Sequence, residues 1–555
     1  MVPWRLAHGE RLYRDVQFQH GPLGPYLAAS VDGIAGRSLP ARTALHALVA
    51  LLHVAALSRL ARRMLSPWRA ALTTSTAIAT AVFLWPGGWM FPFSFDAALA
   101  VAALTWALVL GTHPQPNRGD IWAGACLLAA LLSRPELGLA GICILGASAC
   151  RSPRRLVPLG VAPLAAAAAG YALLSAGIPR HRLVADGWLV LVEPPEAFQN
   201  VYRAYAGLDR PGLRTTELLL AAVVLALVAT LLAAASWIAS RLTASGRPLA
   251  GGAVATLAVG TLALAALIRL RPPASLAEQL ALIPPLVRVI PACLAIAAVL
   301  RLIAVLRGRA VQGPFSGVPD AVLWMSAVFG ARLFLAAGYV GPYGAFFLPL
   351  PLVVAAAGFF GLADRAAPAL GSALPRLAAA ALTVFLAFRL AAAADFYRRL
   401  PWSPVATPIG TLRLPAPVAD ATAEALAGLS RLPAGASLAG FPEAGFLNYA
   451  LGLRNPFWLE QFFPGRLDGE GEARAIAVLA HDPPDALVRV NVLAVGEGAR
   501  AFGQDYLVDL DAAVRARYTT SAIFGPEARP GARIGDPQFF VEIAAPVSPR
   551  AKTGP

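Results

Sequence analysis

The chain has 555 residues, of which 57% are hydrophobic and only 14% charged. Soluble domains carry about 25% charged residues, so a mean hydropathy of +0.62 excludes a water-soluble globular enzyme and calls for a protein that crosses a membrane many times. The formal net charge of +15 is no nucleic-acid footprint, because the arginines fall between apolar runs, where they set membrane orientation.

The first 40 residues are polar and broken by prolines. "GERLYRDVQFQHGPLGPYLAA" (9–29) carries Glu10, Arg14, Asp15 and His20, then Pro22 and Pro25. Apolar runs of membrane-spanning character follow at 41–62, 69–86 and 94–111. Residues 121–149 are apolar as well, but "SRPE" (133–136) interrupts them. Pro135 and two charges predict a pair of short helices, 121–133 and 135–149, turning about a polar point. Further runs lie at 156–175, 217–240, 249–268, 286–306, 320–339, 345–363 and 376–395, giving about 12 segments in all. The four cysteines, Cys126, Cys143, Cys150 and Cys293, have no metal-ligand spacing, and no disulfide framework is expected.

Arginine orients these segments. Arg59, Arg62, Arg63 and Arg69 form one group; Arg151, Arg154 and Arg155 the next. Arg241 and Arg247, then Arg301, Arg307 and Arg309, then Arg365 and Arg376, complete the series. The groups alternate regularly through the segments, which assigns them to the cytoplasm; Arg269 and Arg271 depart from the pattern. Residues 1–40, the loop 176–216, the loop near 269–285, the turn 340–344 and everything after about 396 then share the opposite face. Loops gathered on one face of a rigid scaffold are where sites are built.

After about residue 396 hydrophobicity drops and turn signals appear. "ASLAGF" (436–441), "DALVRVNVLA" (485–494) and "FFVEIAA" (539–545) read as strands. "TAEALAGLS" (422–430) and "EARAIAVLA" (472–480) read as amphipathic helices. "GEGARAFG" (496–503) has glycines but not the strand–helix context of a nucleotide loop. The expected fold is mainly α: a polytopic transmembrane helix bundle with a C-terminal extracytoplasmic α/β domain. Its expected divisions are a first loop and surface helix (1–40), the bundle (41–395) and the C-terminal domain (396–555).

"LAHGERLYRDVQFQHGPLGPYLAASVDGIAG" resembles the first extracytoplasmic loop of the GT-C superfamily of membrane glycosyltransferases, in the branch of protein O-mannosyltransferases and lipid A aminoarabinose transferases. "LLSRPELGLAGICIL" (131–145) is similar to that family's broken helix, and "SLAGFPEAGFLNYALGLRNP" (437–456) to the start of its periplasmic domain. The resemblance covers most of the chain with loose motifs. It implies a multi-pass protein of the bacterial inner (plasma) membrane. The implied reaction moves a sugar from a polyprenyl-phosphate donor to a lipid, glycan or protein acceptor at the periplasmic face. The partners are then that donor, that acceptor and membrane lipids, with no nucleic acid. It also implies one further helix, bearing the family's principal catalytic carboxylate, ahead of Met1. Members differ in their use of a divalent metal; no metal motif stands in this sequence, so no cofactor is assigned and a divalent metal stays open as the one possible cofactor.

Sugar transfer from a phosphate-linked donor needs a base for the acceptor and cations or donors for the leaving phosphate. Asp15, then Glu10, are the candidate catalytic carboxylates; the alternative for Asp15 is an ion pair with Arg14 within a loop. Arg14, His20 and Tyr26 are candidates for substrate contact, against a turn-stabilising role for His20 and a membrane-interface role for Tyr26. Arg134 offers a bidentate fork for phosphate, or pairs with Glu136 to hold the kink. Arg332, with Tyr339 and Tyr343, suits a polyprenyl phosphate, or snorkels to lipid headgroups. Two other functions remain open on the sequence: a transporter or flippase, which the absence of an inverted repeat disfavours, and a non-catalytic descendant of a transferase.

Overall fold

The computed structural model describes residues 1–82, 94–112, 118–150, 152–194, 196, 199, 203, 211–269, 284–307, 315–335, 346–399, 401–491, 499–525 and 540–547. Each predicted apolar segment is helical over its described residues; 83–86, 336–339 and 345 lie outside them. They are α3 (Leu39–Met64), α4 (Pro67–Val82), α5 (Phe95–Gly111), α6 (Arg118–Leu131), α7 (Pro135–Ala149), α8 (Pro153–Ser175), α10 (Pro211–Ala244), α11 (Pro248–Arg269), α12 (Pro284–Leu306), α13 (Asp320–Leu335), α14 (Pro349–Leu370) and α15 (Leu374–Arg399). Among the described residues five contain windows long and apolar enough to cross a membrane: Leu39–Met64, Pro153–Ser175, Ala226–Ala244, Pro349–Leu370 and Leu374–Ala391. α1 (Val2–Ala7), α2 (Leu23–Ala35) and α9 (Arg180–Ala185) are short and lie in the polar stretches.

The chain forms two compact units. One comprises residues 46–168 and 206–399, the other 1–45, 169–205 and 400–555. The N-terminal segment and the C-terminal tail share a unit with residues 169–205, and the expected loop 176–216 is divided between the two units at 205/206.

In the helical unit, α5 is the central element, with most of its length buried. Alanine and glycine let neighbouring backbones approach closely, as membrane helices require. Gly124 on α6 faces the Pro158 carbonyl oxygen, and a Cβ there would lie 2.1 Å from it. That carbonyl belongs to a π-helical turn, Val157–Val161, within α8. The predicted break is present. α6 stops at Leu131, Ser133 Oγ donates to the Ala129 carbonyl at 2.8 Å, and Pro135 opens α7. Arg155 and Asp120 make a buried ion pair, and Arg155 Nη2 donates to the Gly111 carbonyl at 2.6 Å. This satisfies a C-terminal carbonyl of α5 that has no partner within its helix.

The other unit holds two sheets. β1 (Trp402–Thr407) and β2 (Gly410–Pro415) form an antiparallel hairpin. β3 (Leu438–Phe441), β4 (Ala486–Val490), β6 (Val541–Pro546) and β5 (Tyr518–Phe524) form a mixed sheet in the order β3-β4-β6-β5, parallel only between β3 and β4. α16 (Ala416–Leu429), α17 (Gly445–Leu451), α18 (Gly469–His481) and α19 (Val508–Arg517) accompany it. The N-terminal segment is part of this core: Met1, Trp4 and Leu39 pack against the apolar cluster built by β3, β4, α16 and α17.

Candidate functional site

In the mixed unit the loop between α1 and α2 is held in one conformation. Tyr13 is buried with φ at 66°, a left-handed geometry that costs a bulky side chain energy and persists only where the surroundings fix it. Its hydroxyl donates to the His20 carbonyl at 2.8 Å, and its amide donates to the Val16 carbonyl at 2.9 Å. Gln17 clamps the loop on two sides, its amide to the Trp458 carbonyl at 2.7 Å and its Nε2 to the Ala185 carbonyl at 3.2 Å. Arg182 Nη2 adds a bond to the Arg14 carbonyl at 3.0 Å.

Arg5, buried on α1, is the hub. Its Nε donates to Glu10 Oε2 at 2.8 Å, and its Nη1 to the Phe457 carbonyl at 2.7 Å and to Glu460 Oε1 at 2.9 Å. Its Nη2 reaches the Asp15 carbonyl at 3.3 Å. Burial opposes the guanidinium charge, yet the bonds and charges of Glu10 and Glu460 hold its pKa above the ordinary value. One arginine therefore gathers Glu10, Glu460 and the Asp15 backbone. The second oxygen of Glu460, Oε2, is enclosed, has no hydrogen-bond partner among the described residues and faces Gly445.

A second network lies beside the first. The Asp32 side chain is fully buried and receives Arg42 Nε at 2.8 Å and Nη2 at 2.6 Å, with the Tyr449 hydroxyl at 2.9 Å. Burial, first, pushes the Tyr449 phenol up. Arg37 Nη1 caps α17 through the Tyr449 and Ala450 carbonyls and lies over the Trp4 ring. A third cluster joins Asp186 to the Trp458 indole at 3.0 Å and to Arg474, which stacks on the same indole.

Asp15, predicted as a catalytic carboxylate, is one-third exposed at the loop surface. Oδ2 accepts from the Arg11 amide at 2.8 Å, and Arg14 forks onto both oxygens at 3.0 Å. Partial burial works against its charge, but the Arg14 bonds and the Arg11 amide hold the carboxyl below the usual range. Glu10 is also one-third exposed and bonded to Arg5. His20 is half-buried, its ring edge-on to Phe18. Tyr26 presents an exposed ring on α2.

In the helical unit Arg134 is buried at the turn between α6 and α7. Its Nη2 donates to Ser94 Oγ at 2.6 Å, and Ser94 in turn caps α5 through the Ala97 amide. Glu136 is exposed and lies 3.7 Å from the guanidinium. Arg332 occupies the last turn of α13, half-buried. Tyr339 and Tyr343 lie outside the described residues. Among the described residues no group of three or more His, Cys, Asp and Glu side chains could hold a metal ion.

Sequence reasoning missed Arg5, Glu460, and the trio of Asp32, Arg42 and Tyr449. Glu460 had one usable signal, a lone acid in the aromatic run "FWLEQFF" (457–463).

The apolar helices define a multi-pass membrane protein, and its polar unit collects carboxylates and arginines. No family model matches the chain, and no curated protein does. Among solved structures it is similar to ArnT from Cupriavidus metallidurans. The apo crystal structure shares 15% identity over 95% of this chain and 88% of that one, with a TM-score of 0.39. The form bound to undecaprenyl phosphate shares 15% identity over 98% and 92%, with a TM-score of 0.40.

Proposed function

We propose that this protein is a membrane glycosyltransferase that moves a sugar from a polyprenyl-phosphate donor to a lipid, glycan or protein acceptor at the extracytoplasmic face of a bacterial inner membrane. The motif resemblance at 9–29 and 131–145 supports the class. The observation that carries the reading is the Arg5 hub, where two glutamates and the Asp15 loop meet in a clamped setting. Glu10, at the rim, is the proposed proton acceptor for the attacking hydroxyl. Asp15 is held as an anion, which suits it to orient the acceptor. Arg14, His20 and Tyr26 are proposed to line the acceptor approach. Arg134, with Glu136, and Arg332, with Tyr339 and Tyr343, are proposed to meet the donor phosphate. Residues 1–40, 41–395 and 396–555 remain the proposed functional divisions.

The test is transfer of radiolabelled sugar from polyprenyl-phosphate donors in proteoliposomes. Glu10→Gln is expected to lower kcat by at least a hundredfold with protein yield unchanged, and Arg134→Ala to raise KM for the donor. Full activity in both variants refutes these roles. Solute uptake without sugar transfer refutes the class.

A further inference from the structure

Arg5 carries two glutamates on one guanidinium. Glu10 Oε2 takes its Nε at 2.8 Å and its Nη2 at 2.6 Å, while Glu460 Oε1 takes its Nη1 at 2.9 Å. The two acids are unequal. Glu10 is one-third exposed, whereas Glu460 is only 13% exposed. Burial opposes the Arg5 charge, and the bonds and charges of both glutamates overcome it, so the guanidinium is a permanent cation.

A carboxylate that must accept a proton is poorly served by an arginine acting unopposed. A guanidinium in hydrogen-bond contact favours the ionised acid and weakens it as a base. A second anion on the same guanidinium works the other way. Glu460 is free to serve as that anion. Its Oε2 has no hydrogen-bond partner among the described residues and faces Gly445 at the start of α17.

The other charged groups close by are engaged elsewhere. Asp15 bonds Arg5 through its carbonyl, and its carboxylate is held by Arg14 and the Arg11 amide. Asp32 is taken by Arg42, and Glu443 accepts from Gln461. The Met1 amino group feels the Glu460 charge, but burial pushes its pKa down and weakens it as a counter-cation.

We propose that Glu460 is a positioning residue for the base: its buried anion offsets the Arg5 charge and leaves Glu10 able to accept the acceptor's proton. This rests on the reading of Glu10 as proton acceptor. In that step the acceptor O–H bond breaks and its proton bonds to Glu10. The acceptor oxygen bonds the sugar's anomeric carbon, and the bond from that carbon to the polyprenyl phosphate breaks with its electron pair leaving on the phosphate. Glu460 exchanges no proton.

The test is the pH profile of kcat/KM for sugar transfer in proteoliposomes, whose acidic limb reports the base of the free enzyme. Glu460→Gln keeps an oxygen for Arg5 Nη1 and nearly the same volume, and removes the charge. Its acidic limb is expected about one pH unit below that of the wild type. Glu460→Asp retains the charge and is expected to keep the limb in place. A merely structural Glu460 would lower the melting temperature and the rate in Glu460→Gln without moving the limb, and an unmoved limb overturns the proposal. Should that variant not fold, the double variant Arg5→Gln, Glu460→Gln removes both charges together. Its limb is expected at the wild-type position, whereas a clear upward displacement means that Glu460 had offset nothing and overturns the proposal. Glu10→Gln separates the two possible failures. Full activity there removes the base assignment and this inference with it. An inactive Glu10→Gln beside an unmoved limb in Glu460→Gln leaves the base assignment standing and refutes this inference.

Discussion

Replacing Asp32 with alanine tests whether the N-terminal segment is an integral part of the mixed unit. The Asp32 carboxylate has no exposed surface and takes both arms of the Arg42 fork together with the Tyr449 hydroxyl. Its removal leaves a mostly buried guanidinium and a phenol without their acceptor. Breaking one partner of such a pair costs about 3–5 kcal/mol, chiefly through the charge left behind. At about 1.4 kcal/mol per decade, hydrogen exchange in α2 and α17 should accelerate by about two to three and a half orders of magnitude if these helices open together. The assay is exchange mass spectrometry on peptides covering 23–35 and 445–451. The double variant Asp32→Leu, Arg42→Met should recover much of the loss, because it removes both charges. Acceleration below tenfold in Asp32→Ala, or a double variant less stable than the single one, would refute the reasoning.

Gly124→Ala puts a methyl 2.1 Å from the Pro158 carbonyl and should lower the thermal midpoint clearly, at a cost of about 1–3 kcal/mol. Gly146→Ala meets no atom within 4 Å and serves as the control, expected to match or exceed wild type. The Asp15 loop should loosen in acid. Its carboxyl is held below the ordinary 3.8, so its contribution is intact above that value and is lost as pH falls through the lower folded pKa. Exchange of the Arg11 amide followed from pH 5 to pH 2 should show this, and Asp15→Asn should abolish the pH dependence.

Helix positions were legible because one physical quantity sets them: membrane spans need a continuous apolar run, and each expected run is helical over its described residues. The break at "SRPE" was legible for a local reason, since Pro135 cannot continue the hydrogen-bond ladder. The β1–β2 hairpin was not, because Pro404 in "WSPVAT" argues against a strand unless that strand lies at an edge, as β1 does in its two-stranded sheet. The polar site was least legible. The bond from Arg5 to Glu460 joins residues 455 positions apart, and no local pattern encodes a partner at that distance. Residues 1–45, 169–205 and 400–555 form one unit, an association of distant stretches that no local sequence pattern encodes. Within that unit packing chose among the charged residues: Glu460 rather than Glu443 to join Glu10 on Arg5, and Arg42 rather than Arg37 on Asp32.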